Sequence, residues 1–355
     1  MPEEISDGQV HKRRVRYKGT HPKSFHEKYK EQNPEKYKDT IEKVISKGST
    51  PAGMHISIMV DEILDVLNIK PGEQGLDATL GYGGHTRAML EKLDGQGHMY
   101  ALDVDPIEIV KTKERLAGFG YGEEILTIKK INFANIDEVA AEAGKFDFVL
   151  ADLGVSSMQI DTPERGFSYK VDAPLDLRLD PEHGVSAAER LAELSEEDFI
   201  GMLIENSDEP YAKEIASVVS NRKRMGRQIA STVDLKNVVE EAIGKVKGLS
   251  ESEKKDMIKK SCARVFQALR IDVNSEFEVL YDFLDKLPDI LNPGARVAIL
   301  TFHSGEDRLV KKSFKALKKA GVYSEISEDV TRPSAAECQR NPRAKSTKLR
   351  YAVKA

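Results

Sequence analysis

Cysteine is scarce. Only Cys262 and Cys338 occur in 355 residues, far apart and in no C-x-x-C pair. That excludes a disulfide framework and a cysteine-built zinc site, and it suits a reducing, cytoplasmic setting. Nowhere do about 18 apolar residues run together, as a membrane span requires. The polar, charged start has no apolar core for a secretory signal. The eight histidines show no H-E-x-x-H or similar spacing, so no metal is expected. What remains is a soluble globular composition, 40% hydrophobic and 32% charged, long enough for one large domain or two smaller ones.

Net charge is -5, which argues against nucleic acid until its distribution is read. Residues 1–50 carry twelve Lys/Arg against eight Asp/Glu; residues 161–212 carry four against fourteen; residues 213–270 carry fourteen against seven. Residues 340–355 hold six basic residues and no acid. Basic blocks set apart by an acidic one make a local footprint for phosphate on an acidic protein. Solvated helix faces without a partner are the other reading. The first block interleaves bases with Phe25, Tyr29 and Tyr37, a pattern suited to phosphates and stacked bases or to an arm packed on the body.

After a linker at 47–53 an α/β rhythm begins. Strands are expected at Gln74–Leu80, His98–Val104, Ile125–Lys130 and Phe146–Leu153. Helices are expected at Ile56–Leu67, Thr86–Leu93 and Pro106–Leu116. Alternation of this kind implies a parallel sheet covered on both faces. Residues 160–270 break the rhythm with a polar loop and helices at Ala187–Leu194, Glu196–Glu205, Tyr211–Arg224 and Thr232–Lys245. A helix at Asn274–Leu291, a Pro-Gly turn and a strand at Arg296–Phe302 resume it. The expected organisation is a basic extension (1–50), a sheet domain in two parts (51–160 and 271–355) and a helical insertion (161–270).

Ligands of open parallel sheets bind beyond the carboxyl ends of the strands. Three such ends carry chemistry here. The first is Asp77-Ala-Thr-Leu-Gly81-Tyr-Gly83-Gly84-His85, where glycines let a ligand approach the start of a helix. Asp103, at the end of the next strand, is placed to accept ribose hydroxyls. Asp152-Leu-Gly154-Val-Ser156-Ser157 ends the fourth strand. A glycine loop with a downstream acid fits a nicotinamide dehydrogenase as well as a methyltransferase, although the loop lacks a strict G-x-G-x-x-G.

Longer motifs narrow the choice. Asp152-Leu-Gly-Val-Ser-Ser-Met-Gln-Ile-Asp-Thr-Pro-Glu-Arg-Gly-Phe-Ser-Tyr and Asp172-Ala-Pro-Leu-Asp-Leu-Arg-Leu-Asp180 closely resemble the signature of the RsmH (MraW) family. So do Phe266-Gln-Ala-Leu-Arg-Ile-Asp-Val-Asn274-Ser-Glu276, Phe302-His303-Ser304-Gly-Glu306-Asp307-Arg308 and Asn341-Pro-Arg-Ala-Lys-Ser-Thr-Lys-Leu-Arg350. The resemblance spans residues 55–355. It implies a class I (Rossmann-like) S-adenosylmethionine-dependent methyltransferase domain with a helical insertion domain, acting on a cytidine N4 of 16S ribosomal RNA. It also implies that Gly83, Gly84, His85, Asp103, Phe133, Asp152 and Gln159 contact S-adenosyl-L-methionine. Expected partners are ribosomal RNA in the small subunit and, as an option, a second copy in a homodimer.

The chain departs from the family pattern at Gly305, where Leu is usual, and at Ser207-Asp208-Glu209, where Gly-Glu-Glu is usual. The extension at 1–50 is also extra. These mark a divergent branch. For the transfer itself, Asp152 is the candidate acceptor of the target amine's hydrogen bond, or the partner of the sulfonium. Ser156 and Ser157 are candidates to orient the base. His303 either faces the same crevice or is a structural histidine bonded to Glu306 or Asp307. Arg165 and Arg178 reach a phosphate or pair with nearby acids. Arg222, Lys223, Arg224, Arg227, Arg343, Lys345, Lys348 and Arg350 are candidate phosphate contacts.

Overall fold

The computed structural model describes residues 57–355, so the basic arm expected at 1–50 lies outside the described residues. Helix α1 (Val60–Leu67) leads into β1 (Gln74–Asp77), α2 (Gly84–Leu93), β2 (His98–Asp103), α3 (Pro106–Gly118), β3 (Leu126–Lys130), α4 (Ile136–Ala143) and β4 (Phe146–Asp152). The short α5 (Ser157–Asp161) opens the polar stretch. Then come α6 (Ala187–Glu193), α7 (Glu196–Ser207), α8 (Ala212–Arg224), α9 (Thr232–Gly244) and α10 (Glu251–Val273). The chain closes with α11 (Glu276–Lys286), β5 (Leu291–Thr301), α12 (Ser304–Lys319), β6 (Tyr323–Ile326), α13 (Ala335–Arg340) and β7 (Lys348–Lys354).

The seven strands form one sheet in the order β3-β2-β1-β4-β5-β7-β6. β1 to β5 are parallel, and β7 runs against both β5 and β6. The chain winds outward from β1 to β3, then returns to β1's other side with β4. The order therefore reverses between β1 and β4, where a doubly wound sheet opens a crevice. β4 reads Phe-Asp-Phe-Val-Leu-Ala-Asp and is almost wholly buried, as a central parallel strand must be.

Three expectations need correction. The helix expected to reach Leu291 stops at Lys286, and a 3-10 turn over Leu287–Ile290 carries the chain straight into β5. Pro293-Gly294, expected as a turn, sits inside that strand. Phe146 pairs with Leu291 but Phe148 with Arg296, so the extra residues bulge out, the setting in which a sheet tolerates Pro. β6 and β7 were not expected as strands, because β6 is short and β7 alternates Lys and Arg with apolar residues, which masks it as a basic tail.

The helices from α6 to α10 gather a hydrophobic cluster of their own around Leu191, Phe199, Leu203, Ile215, Leu235, Val239, Val265 and Leu269. α10 was not among the helices expected there. Serines start α6, α7, α9 and α10. Ser186, Ser231 and Ser250 form capping boxes with Glu189, Asp234 and Glu253, and Ser195 accepts from Asp198 N. Both cysteines are free, and burial pushes the Cys262 thiol up to about 12. Among the described residues no helix is long and apolar enough to cross a membrane.

Gly75 shows how tightly the central strands are set. A Cβ there would stand 2.1 Å from the Phe148 ring on β4 and 2.6 Å from Met99 Sδ on β2. Gly75→Ala is expected to lower stability by about 1–3 kcal/mol through overpacking, read as an earlier denaturant midpoint; an unchanged midpoint would contradict this packing.

Candidate active site

A cavity of about 490 Å³ opens at the carboxyl ends of β1, β2 and β4, at the point where the strand order reverses. The loop after β1 forms its floor. Asp77 is buried and accepts from Thr86 Oγ1 at 2.6 Å and Thr79 N at 3.0 Å, which pins both ends of the loop. Gly81 N donates to Asp103 Oδ2 at 2.8 Å. Gly83 adopts φ 80° as the N-cap of α2, and a Cβ there would meet Thr112 at 2.7 Å. Only glycine suits that position. Gly83, Gly84 and His85 line the cavity, so the N-terminus of α2 borders it, a setting that favours an anion.

Asp103 ends β2 and lines the cavity. Its second oxygen accepts Asp105 N at 2.9 Å. Burial pushes this carboxyl up to about 6, against the hydrogen bonds from Asp105 and Gly81. Asp105 itself, which the sequence reading left without a role, is completely buried. Its Oδ1 caps α3 through Ile107 N and Glu108 N, and its Oδ2 accepts Gln159 Nε2 at 2.9 Å and Arg165 Nη1 at 2.6 Å. Arg165 then donates to the carbonyls of Arg178 and Leu179. Of the two roles open to Arg165 and Arg178, pairing is the one observed: Arg178 binds Asp176 through both carboxylate oxygens.

Asp152 ends β4. Its amide donates to Thr79 Oγ1, its Oδ2 lies 3.4 Å from His85 Nε2, and its Oδ1 is buried with no partner. Both side chains line the cavity. Burial alone would push the His85 pKa down; the close contact and charge of Asp152, with the charges of Asp77 and Glu337, outweigh that and raise it.

Gly83, Gly84, His85, Asp103, Phe133, Asp152, Ser156, Ser157 and Gln159 all line the cavity. Phe133 is held edge-on to Phe283, with ring centroids 5.3 Å apart. Gln159 accepts Ser156 N and donates to Asp105, so it braces α5 against β2. His303 is the exception. Its Nε2 lies 3.2 Å from Glu306 Oε1 and its ring packs on Phe277, while its neighbours Phe302 and Glu306 line the cavity. His303 does not line the cavity; its contact with Glu306, with the Arg270 charge, holds the Glu306 carboxyl below the usual carboxylate range despite burial.

Several lining residues had no expected role: Arg270, Asn274 and Glu276, and also Asn341 and Ser346. Arg270 binds both oxygens of Glu276 at 2.7 and 2.8 Å. Asn274 accepts Leu179 N and donates to Leu177 O, tying the polar loop to α10. Polar residues at 270 and 274 in an apolar helical pattern were the available signal. The expected phosphate contacts are mostly engaged within the protein. Lys348 and Arg350 bind Asp307 because β7 carries them along the sheet. Lys223 donates to Leu194 O, Arg222 binds Glu241, and Arg343 binds Asp161 at the cavity rim. Arg224, Arg227 and Lys345 are exposed.

Arg165→Ala would leave the Asp105 carboxylate buried without its cation, a loss of about 3–5 kcal/mol. A markedly lower melting temperature is expected; a shift no larger than that of a surface Arg→Ala variant would sink the assignment.

The family model described as the MraW methylase family matches residues 52–355. Ribosomal RNA small subunit methyltransferase H 1 of Lachnoclostridium phytofermentans is 69% identical over 346 residues, covering 98% of this chain and 94% of that one. The protein of the same description from Agathobacter rectalis is 66% identical, covering 99% and 100%. Ribosomal RNA small subunit methyltransferase H of Heliobacterium mobile is 37% identical, covering 84% of this chain and 98% of its own. A model match across the whole described fold, with relatives of such identity and coverage, shows that this chain belongs to the MraW methylase family.

Proposed function

We propose that the chain transfers the methyl group of S-adenosylmethionine to the exocyclic N4 of a cytidine in 16S ribosomal RNA, in the bacterial cytoplasm. The observation that carries the reading is the Asp152 carboxylate at the cavity wall, with one oxygen lacking any hydrogen-bond partner, beside the glycine loop and the Asp103 carboxylate. Membership of a methylase family and relatives named as small-subunit RNA methyltransferases support the reaction and the substrate class.

The cavity suits the cofactor chemically. The α2 N-terminus offers N–H groups to its carboxylate, Asp103 offers oxygens to its ribose hydroxyls, and Phe133 offers an aromatic face to its adenine. When bound, the cofactor supplies an electrophilic methyl group on a sulfonium. The target amine is a weak nucleophile because its lone pair is delocalised into the cytosine ring. The Asp152 carboxylate accepts a hydrogen bond from that amine and so favours a localised lone pair; it also offsets the positive charge that develops on nitrogen. His85 lies against Oδ2, which keeps the carboxylate anchored. Ser156 and Ser157 orient the base. The base must be unstacked to enter. We read residues 161–270 as an insertion domain beside the cavity.

Labelled methyl transfer to small ribosomal subunits from a strain lacking this gene, followed by nucleoside analysis, tests the reading. Label in N4-methylcytidine is expected, and Asp152→Asn should cut turnover by about 10²–10³-fold while S-adenosylhomocysteine, which lacks the sulfonium charge, still binds. Transfer only to other RNA would move the target; no transfer to any RNA would leave a cofactor-binding assembly factor.

Cofactor affinity should also report Asp103. Its carboxylate form accepts the ribose hydroxyls and is lost as pH falls through about 6. S-adenosylhomocysteine binding is therefore expected to weaken by up to about tenfold per pH unit below that point, and Asp103→Asn should remove the dependence. A flat Kd from pH 7 to 5, or the same decline in the variant, would contradict it.

A further inference from the structure

Helix α12 starts at the cavity rim and runs to Lys319. Its inner face is buried through Glu306, Val310 and Phe314. Its outer face carries Arg308, Lys311, Lys312, Lys315, Lys318 and Lys319, all exposed. No acid occurs from residue 308 to residue 324. At about 100° per residue the six bases fall within an arc of about 120°, and they extend over about 16 Å.

This arrangement is unfavourable for the isolated helix. Bases three or four apart repel, as in Arg308–Lys312, Lys311–Lys315 and Lys315–Lys319. The helix dipole favours cations only in the last turn, at Lys318 and Lys319. Compensation within the fold is slight. Arg308 comes within 3.8 Å of the exposed Asp208, and Lys318 donates to Ser324 O. Among the described residues no carboxylate lies within 4.0 Å of the ammonium groups of Lys311, Lys312, Lys315 or Lys319. Other bases of this surface are paired, as in Arg190–Asp272, Lys286–Asp137, Arg296–Glu73 and Arg343–Asp161.

We propose that the α12 stripe is a docking surface for the phosphate backbone of RNA. The inference rests on the RNA-methylation reading and adds to it where the strand lies beyond the reacting nucleotide. The stripe starts one turn from Phe302 and Glu306 of the cavity wall, so a strand whose target base is in the cavity can continue along α12. The track has an acidic border. Glu278 and Asp282 of α11, with Glu205, line a groove shared with Gly305, Leu309 and Arg308 itself, on the flank of α12 away from Lys311 and Lys315. Contacts of this kind position RNA without reading its sequence.

The test compares the full chain with two triple variants, binding small-subunit ribosomal RNA at 50 to 200 mM salt. One is Lys311→Gln, Lys312→Gln, Lys315→Gln. The other removes the same charge from exposed positions of α10: Lys255→Gln, Lys259→Gln, Lys260→Gln. Each phosphate contact contributes about 0.7–0.9 to the slope of log K against log salt. The α12 triple is expected to flatten the slope by about two to three and to weaken binding at least tenfold at the low-salt end, with the S-adenosylhomocysteine-induced melting shift unchanged. The α10 triple is expected to keep the slope within about one unit of the parent. An unchanged slope in the α12 triple, or an equal loss in the α10 triple, would overturn the docking surface while methyl transfer by the parent chain stands. A parent chain that neither binds nor methylates this RNA would overturn the RNA reading, and the stripe with it.

Discussion

The Asp105 carboxylate is the constraint on which the site depends. It has no exposure to water, and such a charge is tolerated only when paired and hydrogen-bonded. Its four hydrogen-bond partners come from three parts of the chain: the first turn of α3, Gln159 on α5, and Arg165 in the polar loop. Satisfying one buried charge therefore draws the end of β2, the segment after β4 and the loop at 161–180 together. Arg165 extends the linkage to the backbone at 178 and 179, and Asn274 fastens the same stretch to α10. The cavity is what these constraints leave between them.

The cavity wall is rich in carboxylates: Asp103, Glu108, Asp152, Glu276 and Glu306. They differ in what they can still do. Glu276 is saturated by Arg270, and Glu306 by backbone N–H groups, His303 and the nearby Arg270. Asp103 takes a backbone N–H on each oxygen and lines the cavity on one side of the glycine loop; Asp152 lines it on the other, with one oxygen unpartnered. A ligand that is cationic at sulfur and rich in hydroxyls suits that division better than a dinucleotide, whose pyrophosphate would meet these acids. His85 links the two sides, because it follows the loop in sequence and faces Asp152 in space.

Much of this was legible in the sequence. The glycine loop, Asp103 and Asp152 fell at strand ends because β1, β2 and β4 are short apolar runs between helical patterns. That periodicity needs no tertiary information. Asp105 was overlooked although Asp-Pro before a helical pattern is an N-cap signal, because burial and its distant partners at 159 and 165 are set only by the fold. His303 was ambiguous for the same reason: sequence places it at the end of β5 but not the direction of its ring, which Glu306 decides. Lys348 and Arg350 resembled a basic tail because a strand that alternates Lys and Arg with apolar residues is indistinguishable from a polar segment until Asp307 is opposite. Pro293-Gly294 looked like a turn because a bulge within a strand uses the same residues as a turn.

The central claim is that one cavity, organised around Asp105, holds the methyl donor with its reactive end at Asp152. A crystal structure of the chain with S-adenosylhomocysteine tests it most directly. The account predicts the ribose hydroxyls on the Asp103 carboxylate, the amino-acid carboxylate at the start of α2, and the sulfur beside Asp152 and Leu153. A ligand bound elsewhere, or in this cavity with its sulfur directed away from Asp152, would contradict it.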